Sequence, residues 1–204
     1  MKSTYMEPLR IAVPITFVLA LTLGAGADGT GSKRDAALLK EKVATINAFG
    51  VRPRPKARRT VVSEKEVNAY LNFEAGPQLP VGVVDPSIAI LGAGRLSGRA
   101  VVDLDAVRAS KNPTSLLDPM FYLTGRLPVT ATGVLRAAEG TGQFELQSAT
   151  VGGLPIPKLV LQEIVSHYSR SDANPDGLDL EVPFLLPSRI REIVVERGQA
   201  IIVQ

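Results

Sequence analysis

The chain has 204 residues, with 23 Lys and Arg against 20 Asp and Glu, a formal net charge of +3, one His and no Cys. The lack of Cys excludes disulfides, thiol catalysis, thiolate metal sites and a lipid-modified Cys, and a single His excludes any metal site built from two His ligands. Hydrophobic residues make up 45% of the chain but aromatic residues only 5%, so core volume must come mainly from aliphatic side chains.

The N-terminus has the pattern of an export signal. A short charged leader precedes the apolar run Ile11 to Leu23, and Ala25 and Ala27 suit a cleavage site. The run has the length of a signal-peptide core and is short for a bilayer span, which needs roughly 20 residues. Extended to Ala27, it could just serve as an uncleaved anchor. We therefore expect residues 1–27 to be a signal peptide or an N-terminal anchor, and the protein to be exported to a bacterial periplasm or cell envelope.

Residues 28–59 are predicted to form a tether, a helix and a basic linker. Helical spacing of Leu39, Val43 and Ile46 predicts a helix over Asp35–Phe49. Prolines then impose extended backbone on a segment with five basic residues: Arg52, Arg54, Lys56, Arg58 and Arg59. The segment is either a contact for the anionic headgroups of a membrane surface or a solvated linker. The linker is favoured because no amphipathic helix accompanies the charges, and nucleic acid is excluded as a partner on the same grounds.

Residues 60–204 are predicted to form a single domain of helices and hairpins. After a short strand, Ser63 and Glu66 form a capping box at the start of a helix, and a later helix spans Lys158–Arg170. Hairpins turn at Gly92–Gly94, near Glu139–Gly140 and at Glu196–Gly198. This order predicts an α+β fold. We expect a strongly curved antiparallel sheet, an incomplete barrel built from hairpins, wrapped around or capped by helices.

One face of each long strand is aliphatic. Alternation with polar residues, among them Asp103 and Asp105, predicts that this face is turned inward. Glycines within the strands, Gly98 and Gly133, indicate curvature or the close approach of another segment. The inward residues are candidate lining for an apolar ligand and, residue by residue, equally good candidates for a filled core. They are Leu96, Val102, Leu104, Val129, Leu135, Phe144 and Leu146, joined by Leu161, Ile164 and Val165 of the late helix.

No catalytic set is recognisable. The chain contains one histidine, His167, but no Gly-x-Ser-x-Gly motif that could supply a nucleophile for it. The glycine-rich stretch Gly92–Gly98 joins two strands rather than a strand and a helix, so it is not a phosphate-binding loop. The acidic loop that begins at Asp172 has Pro183 where a calcium loop needs a bidentate Glu, so a loop with tight turns is favoured. We therefore predict a protein that is not an enzyme, with no catalytic residue, metal or cofactor.

The most specific pattern lies from Phe144 onward. A strand ends in the corner "GGLPIP", a helix follows, and "LLPSRI" leads into a terminal hairpin; the residues concerned are Gly153, Leu154, Pro155 and Pro157, then Leu186, Pro187 and Ile190. Together with the helix "SEKEVNAYL", Ser63–Leu71, this order resembles bacterial extracytoplasmic lipid-binding domains of the LmeA and YpmS kind. Those domains relate to the tubular lipid-binding (TULIP-like) and AsmA-like envelope proteins.

The resemblance implies a curved sheet around a helix, with an apolar interior that accepts acyl chains and with headgroups near the basic segment. We therefore expect non-catalytic binding, and carriage, of a lipid or another long apolar molecule in the cell envelope. The alternative is an envelope interaction or assembly protein that pairs with a protein partner and has a filled core.

Overall fold

The computed structural model describes residues 31–51, 56–110, 124–169, 179 and 182–204. Its helices are α1 (Lys33–Gly50), α2 (Glu64–Phe73), α3 (Leu104–Ser110) and α4 (Lys158–Ser169), with a 3₁₀ turn at Gly76–Gln78. Its strands are β1 (Arg59–Ser63), β2 (Val83–Gly92), β3 (Arg95–Asp103), β4 (Arg126–Ala138), β5 (Thr141–Val151), β6 (Leu154–Pro155), β7 (Phe184–Leu185), β8 (Glu192–Glu196) and β9 (Gln199–Val203).

The strands form two antiparallel sheets. One has six strands in the order β2-β3-β4-β5-β6, with β7 paired to the other end of β5, and one has three strands in the order β1-β9-β8. A bridge between Leu91 and Arg197, and a bond from the Gly198 amide to the Ile90 carbonyl at 2.8 Å, join the two sheets. The larger sheet is curved but not closed, which confirms the predicted α+β class.

The hydrophobic core joins all of these layers. It combines the inner face of the larger sheet with Leu39 of α1, Val67 and Leu71 of α2, Val195 of β8 and Leu161 of α4. The helix predicted at Asp35–Phe49 is therefore confirmed as α1 and is packed against the same core as the hairpins. Its N-terminus is capped by Ser32, whose hydroxyl accepts from an amide of the first turn.

An ion pair fixes α1 against α2. Lys42 Nζ lies 2.6 Å from Glu66 Oε1 and also donates to the Val61 carbonyl at 2.7 Å. The Ser63 amide donates to Glu66 Oε2 at 2.9 Å, which confirms the predicted capping box. Burial alone raises the pKa of Glu66, but the hydrogen bonds from Lys42 and Ser63 outweigh burial and hold this pKa below its ordinary value.

Polar side chains of α2 close the outer edge of β2. Side chains at every fourth position of the helix bond to the backbone of alternate residues of the strand, an arrangement we call the edge ladder. It satisfies strand donors and acceptors that would otherwise be exposed for pairing with another chain. Its bonds join Glu64 Oε2 to the Ile90 amide at 2.6 Å, the Asn68 amide group to the Ile88 N–H at 2.6 Å and C=O at 2.8 Å, and Asn72 Nδ2 to the Pro86 carbonyl at 3.0 Å.

The corner "GGLPIP" is a tight hairpin. Gly152 and Gly153 have φ of 59° and 82°, the left-handed conformation that a two-residue hairpin turn requires at both positions. The sequence suggested that the chain leaves the sheet at this corner. Instead, the chain turns back and pairs with β5 for two residues, with Pro155 opposite Thr150. The following helix, α4, then begins at Lys158. Pro155 lies on the short edge strand β6, where the loss of an amide donor is tolerated.

Candidate functional site

One half of the inner face is filled by the protein itself. Five of the ten residues predicted to line an apolar ligand lie within the continuous core cluster with exposures of 5–8%. Side chains of this kind already contact neighbouring protein atoms, so a ligand would have to displace core packing to touch them. They are Leu96, Leu135, Phe144, Leu146 and Leu161.

The packing of this half depends on a glycine and a bulge. A Cβ placed on Gly133 would meet the ring of Phe144 and lie 2.6 Å from the Glu145 carbonyl. Gly133 is therefore required by close approach, one of the two explanations that the sequence offered for it. Beside it, the register shifts so that Gln147 has no partner on β4, the mark of a β-bulge. The bulge keeps Leu146 and Ala149 both buried although they are three residues apart.

The other half of the same face is less covered. It carries Val83, Val102, Leu127, Val129 and Val151 on four neighbouring strands, and all five side chains are only half-buried. The ladder pairs Val83 with Val102, Val102 with Leu127, and Val129 with Val151. We call this set the open end. Small residues that are fully buried separate it from the filled half: Ala100, Ala131 and Ala149.

Leu104 does not continue the strand face, which corrects the predicted alternation. The strand ends at Asp103, whose Oδ1 accepts from the Ala106 amide at 3.0 Å and so begins the helix α3. Leu104 is the first residue of that helix and is buried, while Asp105 accepts from the Gly125 amide at 3.0 Å. The Ala106 amide and Arg126 hold the pKa of Asp103 below its ordinary value. The two aspartates are thus structural groups.

Several predicted residues lie outside what the structure describes. For Ile164 and Val165 only the backbone of α4 is given, and the same holds for His167. Arg52 and Arg54 fall in an undescribed gap, as do most of the acidic loop after α4 and the whole of residues 1–30. Lys56, Arg58 and Arg59 are described.

Of the described basic residues, Arg58 lies beside the C-terminal end of α1. Arg58 exchanges two backbone bonds with Gln204, at 3.0 and 2.9 Å, and its guanidinium is 5.9 Å from the centre of the Phe49 ring. The last turn of α1 has no basic residue of its own, so Arg58 also complements the partial negative charge at that helix end, an effect of about 0.3–1 kcal/mol. Lys56 and Arg59 are exposed.

A groove of 540 Å³ is lined by Ala57, the residue before Arg58, and by Phe49, over whose ring the Arg58 guanidinium lies. We call it the basic groove. Two features of its wall are not expected from the sequence: Arg189 and Arg191 both face it, and the amide of Gln204 is buried beside it. The only sequence signal was two arginines two residues apart in "LPSRIRE". The lining consists of Phe49, Ala57, Glu139, Gly140, Leu186, Arg189, Ile190, Arg191 and Gln204.

An unusual turn shapes the groove. Ser188 and Arg189 have φ of 54° and 57°, which costs a non-glycine residue about 1–2 kcal/mol each. The turn is held by Gln204 Nε2, which donates to the Ser188 carbonyl at 2.6 Å and to the Ile46 carbonyl at 2.9 Å. Ser188 Oγ lies 2.6 Å from Asn47 Oδ1. The backbone of the turn that carries Arg189 is therefore held by buried and partly buried contacts.

The open end and the basic groove lie at opposite ends of β4. Val129 is near the start of that strand, and Gly140 follows its last residue, Ala138. The nine steps along the strand from Val129 to Ala138 span about 30 Å at roughly 3.4 Å each. The two surfaces are therefore separate candidate sites.

No metal or membrane-spanning feature emerges in the described ranges. They contain no group of three or more His, Asp or Glu side chains placed to hold a metal ion. None of the helices described is both long and apolar enough to cross a bilayer.

Comparison with known proteins gives no relative. The chain matches no family model, no curated protein and no solved structure. Function must therefore be inferred from the two surfaces themselves.

Proposed function

We propose that the protein binds a lipid or another long apolar molecule at the open end, without catalysing a reaction, and that it does so in the bacterial cell envelope. The observation that carries this proposal is the contrast along one sheet face. Aliphatic residues in register on four strands are half-buried at the open end, while those of the other half are enclosed. Covering them with an alkyl chain removes apolar surface from water, at about 25 cal/mol per Å².

The energetics favour a long chain over a small apolar molecule. Each buried methylene contributes about 0.8 kcal/mol, whereas association costs about 4–15 kcal/mol in lost freedom. Roughly ten buried methylenes are therefore needed before binding becomes appreciable. The affinity should rise about fourfold for every methylene added, until the open end is fully covered.

The first test is organic extraction of the purified full chain followed by mass spectrometry. Stoichiometric recovery of a lipid supports the proposal. The second test is titration with alkyl chains of increasing length, with Val129→Thr as the variant and Thr130→Ser as the control. Thr130 is the next residue of β4 and faces the opposite side of the sheet.

We expect Val129→Thr to weaken binding several-fold because it places a hydroxyl against the chain, while Thr130→Ser leaves the affinity unchanged. Thermal unfolding of both variants shows whether the fold is retained. No copurified lipid, together with an affinity that does not depend on chain length, would rule the proposal out.

A second candidate is an envelope interaction protein, and one observation favours it. Large apolar side chains are exposed around the outer edge of β5: Leu154 at 72%, Leu159 at 81% and Leu185 at 83%. Because half of the inner face is already filled, a partner strand at this edge is the alternative use of the fold. Capture of one consistent partner that is lost in Leu185→Asp, and retained in Val129→Thr, would favour this candidate over lipid binding.

A further inference from the structure

We propose that the basic groove binds a phosphate ester, a group that a free metabolite and a phospholipid headgroup have in common. This inference is independent of the apolar ligand, because the groove lies at the other end of β4. The groove has the size of a small-molecule site, and its wall combines apolar surface from Phe49, Leu186 and Ile190 with guanidinium groups.

The three-stranded sheet aligns Arg191 of the groove with Arg58, which lies over the Phe49 ring of the groove wall. Arg58 pairs with Gln204 on one side of the central strand β9. On the other side Glu192 pairs with Val203, so that Arg191, one residue earlier, also lies opposite Gln204 in the same cross-strand row. Residues opposite one another in such a row project from the same face of the sheet. Two strand spacings of about 4.8 Å put the two backbones roughly 10 Å apart, so that long side chains can reach one anion from both sides.

Arg191 is available for a ligand. Its side chain is exposed and, within the part of the chain that the structure describes, makes no ion pair. A planar guanidinium group can donate two parallel hydrogen bonds to two oxygens of one phosphate. Glu139 faces the same groove, where it repels negative charge and can accept a hydrogen bond from a hydroxyl or ammonium group, so a phosphate ester that carries such a group should be preferred over inorganic phosphate.

Backbone strain is concentrated at this groove. Of the five non-glycine residues with positive φ in the described chain, two line the groove, Glu139 and Arg189, and a third, Ser188, directly precedes Arg189. Residues held in such conformations cluster at ligand-binding positions, because the surrounding structure must be built to hold them. Here that structure is the buried amide of Gln204, which bonds to both α1 and the turn.

The test is an NMR titration of the labelled full chain with glycerol 3-phosphate, alongside sedimentation with vesicles with and without phosphatidylglycerol. We expect shifts of the backbone amides of Gly140, Arg189, Arg191 and Gln204. Arg191→Ala should weaken binding at least tenfold, and Glu139→Gln should strengthen the binding of inorganic phosphate. The control is Arg99→Ala, since Arg99 is an exposed arginine on the outer face of β3.

Glycerol 3-phosphate and the vesicles distinguish a free phosphate ester from a phospholipid headgroup as the source of the ligand. Shifts with glycerol 3-phosphate indicate a free phosphate ester, whereas vesicle binding alone that Arg191→Ala reduces indicates a headgroup. The proposal is overturned if neither probe responds to Arg191→Ala, or if Arg99→Ala reduces binding equally, because the effect is then that of net charge. Neither outcome depends on whether lipid is extracted from the open end.

Discussion

Glu66 shows how one side chain can serve two contacts. It accepts from the Ser63 amide and from Lys42, and only 10% of its side chain is exposed. The capping box could be predicted because its two residues are three positions apart. The partner Lys42 could not, because it is 24 residues away and comes near only when α1 packs against α2.

The stability of the protein should therefore depend on the charge of Glu66. Its pKa is lowered in the folded state relative to the ordinary 4.5, so its contribution is complete above that value and is lost as pH falls through the folded pKa. Glu66→Gln should lower the free energy of unfolding by about 2 kcal/mol at pH 7, because Lys42 keeps no charged partner. The difference from wild type should shrink towards pH 3.

Denaturant unfolding between pH 3 and pH 7 measures this difference. Glu74→Gln serves as the control, since Glu74 pairs at 2.7 Å with an exposed Lys40 and surface pairs contribute little. A constant difference between Glu66→Gln and wild type over the whole pH range would contradict the assignment.

Other residue-scale expectations failed for a local reason. Leu104 fits the alternation of β3, yet the carboxylate of Asp103 caps a helix at that point. Alternation and capping compete for the same residues, and the helix formed here is also bonded, through Asp105, to the Gly125 amide 20 residues further along. Short helices of this kind are therefore difficult to predict from pattern alone.

At the scale of elements, the pairing of α2 with β2 explains the most specific helix pattern in the sequence. Ser63, Glu66 and Asn68 all belong to "SEKEVNAYL", and each makes a backbone bond that fixes the helix or the strand beside it. The pattern thus has a structural explanation that needs no ligand. Helix bounds and hairpin turns could be predicted, whereas the helix-to-strand pairing could not, since neither element contains a signal for its partner.

Asn68 is expected to be the critical member of the edge ladder. Asn68→Ala leaves both the N–H and the C=O of Ile88 without a partner and should lower the free energy of unfolding by about 2–3 kcal/mol. Hydrogen exchange of the Ile88 amide should accelerate. Asn72→Ala removes one bond to the Pro86 carbonyl and one to the Asn68 carbonyl, both at exposed positions, and should have a smaller effect. Equal effects of the two variants would show that the ladder does not act as described.

At the scale of the whole molecule, the two proposed sites should be independent. Val129 and Arg191 share no contact and lie at opposite ends of β4, so the effects of Val129→Thr and Arg191→Ala on stability should add within about 0.5 kcal/mol. Each single variant should also leave the other ligand's affinity unchanged. A coupling above about 1 kcal/mol in the double variant would show that the sites communicate.

The division into two sheets is the feature that the sequence reveals least. β1 pairs with β9, so Arg59 lies opposite Val203. Alternation identifies both strands but contains no information on register between segments this far apart. The basic groove depends on that pairing, because it brings Arg58 beside Gln204 and Arg191, and so it could not be predicted.

The edge ladder also sets a limit on its own length. Four residues of a helix rise about 6.0 Å, while two residues of an antiparallel strand rise about 6.8 Å. The two repeats drift apart by about 0.8 Å per step, which hydrogen bonds tolerate over two intervals but not over many. The third rung, Asn72 to Pro86, lies where β2 shifts register between Val84 and Ser87, and α2 ends one residue later at Phe73. The mismatch of the two periods thus limits the ladder to a few rungs, and the ten residues of α2 are long enough to hold the three that are present.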